Sequence, residues 1–215
     1  MHPLIKLDSM KATMKTLSAI LICCFISTIQ MYGENIQRPE SENYVKGVEA
    51  LNEGNPEASY TYLNAEINEH PDNGYAHCYM ALICNFCNDT KLALQALNSS
   101  LELIPEADTE YRSFAHYSRG VLLTNLKMWE RAEADLNEAI RLNPEDVENY
   151  KSRAQLYFET ERYEESLNDL TRALKLDSKA DVNDLVLQLM AVAPTSEFME
   201  RITATYQQLD QVTIH

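Results

Sequence analysis

The fold is decided by residues 113–146, which read SFAHYSRGVLLTNLKMWERAEADLNEAIRLNPED. Four positions of this stretch, Gly120, Ala132, Leu136 and Pro144, have counterparts elsewhere in the chain at spacings of 34, 39 and 34 residues. The counterparts are Gly47, Ala81 and Ala154; Ser59, Ala93 and Ser166; Leu63, Leu97 and Leu170; and Pro71, Pro105 and the weaker Ser178. Each set of equivalent positions, or register, has the same interval of 39 residues, which is five residues longer than the other two intervals. Four registers that share this five-residue slip predict stacked helical hairpins with a period of about 34 residues.

Packing explains why these residue types recur. A small residue in the first helix of each hairpin lies opposite a small residue in the second, so that the two helices can approach closely. The leucine late in the second helix fills the space between neighbouring hairpins, and the proline that follows ends that helix. The pattern predicts an all-α array, a class of protein that binds partners through an extended surface.

The arrangement resembles the tetratricopeptide repeat (TPR) family. The third hairpin matches the family pattern best, at Gly120, Leu123, Trp129, Ala132, Leu136, Ala139 and Pro144. The resemblance implies a right-handed α-α superhelix, or solenoid, of four TPR-like hairpins at residues 40–73, 74–107, 113–146 and 147–180. The first hairpin departs most from the pattern, because Glu66 stands where a small residue is expected.

The five-residue slip falls at residues 108–112. Its simplest account is an extended first helix in the third hairpin, with Asp108 or Thr109 as its cap. A bent junction between the second and third hairpins is the alternative.

The tail, residues 181–215, keeps the helical spacing but lacks the small residues. We expect it to form a degenerate fifth hairpin that caps the open end of the stack, since terminal repeats are atypical. A truncated array is the alternative. The tail carries two apolar stripes separated by Pro194, namely Val182, Leu185, Val186, Leu189, Met190 and Ala193, and then Phe198, Ile202, Tyr206 and Leu209.

The first 33 residues are predicted to be a secretory signal, followed by a short linker at 34–39. A basic residue, Lys15, precedes an apolar run over residues 17–29, and the small Gly33 offers a cleavage position. An uncleaved membrane anchor over residues 17–31 is the main alternative. Cys23 and Cys24 also permit a lipid anchor, although Ile22 and Cys23 are poor residues before a lipidated cysteine. The possible starts are Met1, Met10 and Met14.

The chain is strongly acidic. Its formal net charge is −15, and without the first 33 residues it holds 15 basic and 32 acidic residues, a net charge of −17. This charge opposes binding to nucleic acid and to anionic membrane surfaces, so that membrane contact is expected only through the leader. It favours a protein partner of basic character.

The sequence predicts no catalytic, cofactor-binding or metal site. The glycines after the leader are too scattered for a loop that cradles phosphate, and no small-molecule substrate is evident. Cys84 and Cys87 form a C-x-x-C motif, but no second ligand pair follows at metal-site spacing and no strand precedes it. We therefore interpret both as small apolar residues packed in a helical core.

Two histidines and one acidic helix also receive structural interpretations. His77 and His116 occupy the same place in consecutive hairpins, where the family usually has a large aromatic residue, and neither has a nucleophile motif beside it. We interpret both as packed core residues. The acidic residues of one helix are interpreted as a solvated face, namely Glu130, Glu133, Asp135 and Glu138.

The first helices of successive hairpins line the concave surface in this family, which implies a groove for a partner. Helical spacing selects side chains for that surface. Aromatic rings with amide and hydroxyl groups suit an extended peptide or an amphipathic helix, although packing between hairpins could instead bury some of the rings. The candidates are Tyr44, Val48, Tyr75, Leu82, Asn85, Phe114, Tyr117, Val121, Thr124, Asn125, Lys151, Gln155 and Phe158.

These observations predict an exported, non-catalytic scaffold for protein–protein interaction. We expect it to be periplasmic or associated with a bacterial envelope, where it would hold partner proteins in an assembly. The alternative is an accessory TPR segment of a larger exported enzyme or secretion machine.

Overall fold

The computed structural model describes residues 36–193 and 195–212, which divide into two compact bodies. The N-terminal body ends at Asp108, and the C-terminal body begins at Thr109. All regular secondary structure in the described residues is α-helical. The predicted all-α fold of helical hairpins is therefore confirmed, while the predicted leader, residues 1–33, lies outside the described part of the chain.

The N-terminal body contains two hairpins. Its helices are α1 Glu42–Asn52, α2 Pro56–Glu69, α3 Gly74–Phe86 and α4 Thr90–Leu103, and each packs on the next. Side-chain caps fix the start of three of them, because a first turn leaves backbone N–H groups without helical partners. The Oδ1 atoms of Asn55, Asn73 and Asp89 accept hydrogen bonds from the N–H groups three residues later, at 3.2, 3.1 and 3.1 Å.

The C-terminal body contains two hairpins and the tail. Its helices are α5 Thr109–Asn125, α6 Trp129–Leu142, α7 Val147–Glu159, α8 Tyr163–Leu176, α9 Asn183–Val192 and α10 Ser196–Val212. Helices α5 to α8 pack in chain order, and α5 also contacts α7. Helix α5 is 17 residues long and starts at Thr109, so the five-residue slip lengthens the first helix of the third hairpin.

The small-residue registers mark places where two helices touch. A Cβ atom added to Gly120 would lie 2.7 Å from Cγ of Leu136, and one added to Gly47 would lie 2.7 Å from Cγ of Leu63. Both distances are shorter than van der Waals contact, so neither glycine can be enlarged without moving a buried leucine. Ser59 adds a hydrogen bond at its own register, where its Oγ donates to the Gly47 carbonyl oxygen at 2.7 Å.

The turn inside each hairpin follows a further register. Gly54, Asn88, Lys127 and Glu161 have φ angles of 72°, 59°, 58° and 59°, in the left-handed region. They are separated by the same 34, 39 and 34 residues. Sequence reasoning missed this register because only one of the four is glycine, the residue that marks such turns.

Glu66, whose packing the sequence left open, is buried with 1% of its surface exposed. Its Oε1 accepts a hydrogen bond from Nδ2 of Asn73 at 2.8 Å. A carboxylate therefore occupies the place where the other hairpins have a small residue, and its contact with Asn73 links α2 to the start of α3.

The tail covers one side of the fourth hairpin. Helices α9 and α10 pack on each other and on α8. Phe198 and Ile202 of α10 and Leu189 of α9 are buried in one apolar cluster with Leu170 and Leu174 of α8. These contacts form a terminal hairpin that shields the apolar side of α8 from water. Pro194 and the side chains of Tyr206 and Leu209, which the sequence analysis also assigned to the tail, lie outside the described structure.

Candidate protein-interaction surface

In the N-terminal body, two of the predicted groove residues are buried. The side chains of Tyr44 and Tyr75 are 7% and 5% exposed. The Tyr44 ring lies 6.0 Å from the Tyr79 ring, and the Tyr75 hydroxyl donates to Oδ2 of Asp108 at 2.9 Å. Both rings are occupied by packing within the body, which corrects their assignment as partner contacts.

The remaining predicted residues of this body are more accessible. Val48 on α1 and Leu82 on α3 are partly buried, and Asn85 near the end of α3 is exposed. They offer two aliphatic side chains and one amide.

A buried carboxylate fastens the segment before α1, where the sequence predicted a linker. Asp108 is 1% exposed, and it accepts hydrogen bonds from Nε and Nη2 of Arg38 at 3.0 and 3.2 Å. The same carboxylate receives the Tyr75 hydroxyl. Arg38 is therefore held against the second hairpin by a charge-assisted pair.

In the C-terminal body, the predicted residues of α5 form a partly exposed aromatic surface. Phe114 and Tyr117 stack with their ring centroids 6.3 Å apart, and Val121 continues the same stripe toward Thr124 and the exposed Asn125. Burial of the phenol raises the pKa of Tyr117 to about 12, helped by the negative charge of Glu148, while a hydrogen bond with Ser152 opposes the shift. These last two contacts belong to α7, so Tyr117 joins α5 to α7.

The predicted residues of α7 are partly buried, and each contacts a neighbouring side chain of α7 or α8. Nζ of Lys151 donates to Oε1 of Glu148 at 2.8 Å, and Nε2 of Gln155 donates to Oε1 of Glu159 at 3.0 Å. Phe158 packs against the terminal apolar cluster, with its ring 5.7 Å from that of Tyr163.

A cleft of 190 Å³ opens between α7 and the tail. One wall carries Lys151 and Gln155 from α7, which sequence reasoning had assigned to a groove. The opposite wall carries Asp181, Asp184 and Gln188, which it had assigned only to a cap. The polar positions between the apolar ones of α9 are the signal that could have found this wall. The apolar floor consists of Leu170, Val182 and Leu185.

One predicted solvated residue, Asp135 on α6, is instead buried, with 6% of its surface exposed. Its carboxylate receives Nε and Nη2 of Arg119 at 2.7 and 2.8 Å, and Nδ1 of His116 at 2.9 Å. Burial alone would raise the pKa of Asp135, but the hydrogen bonds and positive charges of Arg119 and His116 hold it below its ordinary value. The prediction of a solvated face is wrong at Asp135 because an arginine and a histidine from α5 cover it.

The fourth hairpin repeats this ion pair. Arg153 and Asp169 lie 34 residues after Arg119 and Asp135, and Nε of Arg153 donates to Oδ2 of Asp169 at 2.7 Å. Both pairs join the first helix of a hairpin to the second. They belong to the internal packing of the C-terminal body.

Further polar contacts join the third hairpin to the fourth. Oε2 of Glu133 on α6 accepts from Nη1 of Arg162 at 2.8 Å, and its Oε1 accepts from the Tyr157 hydroxyl at 3.1 Å. The Arg162 guanidinium lies 4.2 Å from the centre of the Tyr157 ring. Nη1 of Arg153 also donates a hydrogen bond to Oδ1 of Asn137 on α6 at 2.7 Å. Glu133 is therefore only partly solvated.

The cysteines differ in environment. Cys84 is buried, which raises the pKa of its thiol, whereas Cys87 is exposed just after α3. The interpretation of both as core residues is wrong for Cys87, because α3 ends before it. His77 is partly buried, with Nε2 3.0 Å from the Pro71 carbonyl oxygen. Among the described residues, no three side chains of His, Cys, Asp or Glu come together in a way that could hold a metal ion. Nor does that part of the chain contain a helix with the length and apolar character needed to cross a membrane.

The chain is similar to known proteins both in sequence and in structure. The tetratricopeptide repeat family matches residues 113–146 and residues 148–179. Among curated proteins, the Lipoprotein NlpI homolog of Haemophilus influenzae is 30% identical over 87 residues, which cover 40% of this chain and 28% of the relative. The match thus spans less than a third of that relative's length.

Two solved structures illustrate the structural similarity. MamA (residues 41 to end) from Desulfovibrio magneticus RS-1 matches with a TM-score of 0.65 at 18% identity, over 80% of this chain and 96% of the other. PilF of Pseudomonas aeruginosa matches with a TM-score of 0.63 at 19% identity, over 79% of this chain and 74% of the other. At these identities the likeness shows a shared fold.

Proposed function

Because this chain is a tetratricopeptide-repeat protein, we propose that it is a non-catalytic scaffold that holds a peptide or an amphipathic helix of a partner protein. The observation that carries the proposal is the surface of α5 and α7 in the C-terminal body. Helix α5 carries partly exposed aromatic and aliphatic side chains, such as Phe114 and Val121, together with the amide of Asn125, and α7 carries the amide of Gln155. Such a mixture suits an extended chain, whose side chains need apolar contacts and whose backbone needs hydrogen bonds.

The charge of the chain supports a basic partner. Residues 36–108 contain three basic and twelve acidic residues, and two of the three basic ones, Arg38 and Lys46, are already paired with Asp108 and Glu42. Long-range attraction from such a surface would raise the rate at which a basic protein associates.

We also propose that the scaffold is exported and works in the periplasm or at the envelope. The basic and apolar pattern of residues 14–33 supports export. The similarity to the Haemophilus relative, which is named a lipoprotein, supports an association with a membrane.

Site-specific photo-crosslinking in the native host tests the scaffold. The full chain would carry a photoreactive phenylalanine at Val121, at Asn125 or, as a control, at Lys175, which is exposed on α8, a helix that is not part of this surface. We expect the same protein adduct at Val121 and Asn125, none at Lys175, and a lower yield at high salt because salt screens exposed charges.

An adduct pattern that is the same at all three positions would contradict partner binding at the surface of α5 and α7. So would the absence of any protein adduct at Val121 and Asn125. Fractionation of the same cells, with N-terminal sequencing of the mature chain, tests the location. Recovery in the cytoplasm with an intact leader would contradict export.

A further inference from the structure

The cleft between α7 and α9 has a composition that the general scaffold role does not explain. Its floor is apolar, because it is lined by Leu170, Val182 and Leu185, which are 1%, 3% and 7% exposed. Its tail-side rim is acidic, because Asp181 and Asp184 stand there with exposed side chains.

The two carboxylates of this rim have no partner in the part of the chain that the structure describes. Neither Asp181 nor Asp184 makes a hydrogen bond or an ion pair with another described residue of the chain. Lys151 on the opposite wall does not pair with these two carboxylates, because its Nζ is paired with Oε1 of Glu148 at 2.8 Å. The rim is therefore negative overall.

We propose that this cleft binds the side chain of an arginine or lysine in an extended segment of the partner protein. The proposal rests on the scaffold function and specifies the partner of that surface. The aliphatic stem would lie on the floor at Val182 and Leu185, since long basic side chains bury their methylene groups on apolar surface. The cation would reach Asp181 and Asp184, and the amides of Gln155 and Gln188 are placed to bond the segment's backbone.

The competing occupant is a carboxylate, because α9 begins at this cleft and a helix N-terminus favours anions. Asp184 lies in the first turn of α9 and already offers its negative charge to that terminus. Asp181 then remains as surplus negative charge, which repels an anion. The balance of charges favours a cation.

Titration by NMR tests the proposal with defined probes. The 15N-labelled full chain would be titrated with N-acetyl-arginine amide, with its neutral isostere N-acetyl-citrulline amide, and with N-acetyl-glutamate amide. We expect saturable shifts of the side-chain amide signals of Gln155 and Gln188 with the arginine probe alone. The double variant Asp181→Asn/Asp184→Asn should weaken that binding by about fivefold or more, as expected for the loss of exposed charge pairs.

A matched control removes the same charge elsewhere. Glu197→Gln/Glu200→Gln changes two exposed carboxylates of α10 and should leave the arginine titration unchanged. Gln188→Lys, a change on the exposed side of α9, should weaken the arginine probe by like-charge repulsion even if the aspartate variants disturb the start of the helix.

The outcomes separate this proposal from the scaffold function. Equal shifts with citrulline, stronger shifts with glutamate, or arginine binding that survives both Asp181→Asn/Asp184→Asn and Gln188→Lys would overturn the cleft assignment. The crosslinks at Val121 and Asn125 could still support a scaffold in each of these cases. Arginine binding without any protein adduct would support the cleft and contradict the scaffold.

Discussion

At the scale of single residues, Asp135 shows how a charge is used inside the fold. Its carboxylate is buried, yet Arg119 and His116 satisfy it with three hydrogen bonds. Because these partners lower the pKa of Asp135, its charge contributes fully to stability above the unfolded value of about 3.9. That contribution is lost as the pH falls through the lower pKa of the folded chain.

We therefore predict that Asp135→Asn lowers the free energy of unfolding at pH 7 by about 2–3 kcal/mol, the scale for hydrogen bonds to charged groups. The difference from the natural chain should shrink as the pH falls below about 4. Urea denaturation between pH 3 and pH 7 measures both effects. Glu130→Gln, an exposed change on the same helix, is the control and should be nearly neutral. A loss at Asp135→Asn that is independent of pH would contradict the role of the charge.

At the scale of the elements, the left-handed turn inside each hairpin places one residue in a backbone conformation that is strained for any residue except glycine. A side chain in this conformation costs roughly 1–2 kcal/mol, and asparagine bears it better than most residues. Glu161 carries the full cost, although its N–H is satisfied by the Phe158 carbonyl oxygen at 3.0 Å. The turn keeps its shape because the two helices that it connects pack on each other.

Glu161→Gly should consequently stabilise the chain. Relief of the strain exceeds the entropy that glycine loses on folding, so we expect a gain of about 0.5–1 kcal/mol in the free energy of unfolding. Gly54→Ala, at the same register, provides a control of opposite sign, because alanine would be strained at a φ of 72°. Thermal denaturation of both variants checks the prediction. A destabilised Glu161→Gly variant would show that this turn carries no strain.

At the scale of the whole chain, the pattern of small and large residues was enough to predict the helices. Gly120 and Leu136 must be small and large because they touch, and that requirement repeats with the hairpins. The surface was harder to predict. Tyr75 is buried because Asp108, 33 residues later, binds its hydroxyl. Such a contact depends on the packed structure, and local spacing carries no sign of it.

The cleft was missed for a related reason. Hydrophobic spacing indicated correctly that α9 buries one face, but it gave no reason to examine the opposite face. Asp184 and Gln188 gain significance only when α7 lies across from them. Side chains that meet from different helices are therefore the part of a site that one sequence predicts least well.

The contacts of Glu133 imply that the third and fourth hairpins open together. Native-state hydrogen exchange should show the amides of α6 and α8 sharing one opening free energy, because opening either hairpin breaks the contact of Arg162 with Glu133 and leaves Arg162 paired with Glu165 alone. Glu133→Gln should divide that shared value into two, whereas Glu130→Gln should preserve it. Two separate openings in the natural chain would refute the coupling. A repeat chain linked in this way exposes its third and fourth hairpins to proteases as a pair, and truncation inside either one removes the cooperativity of both.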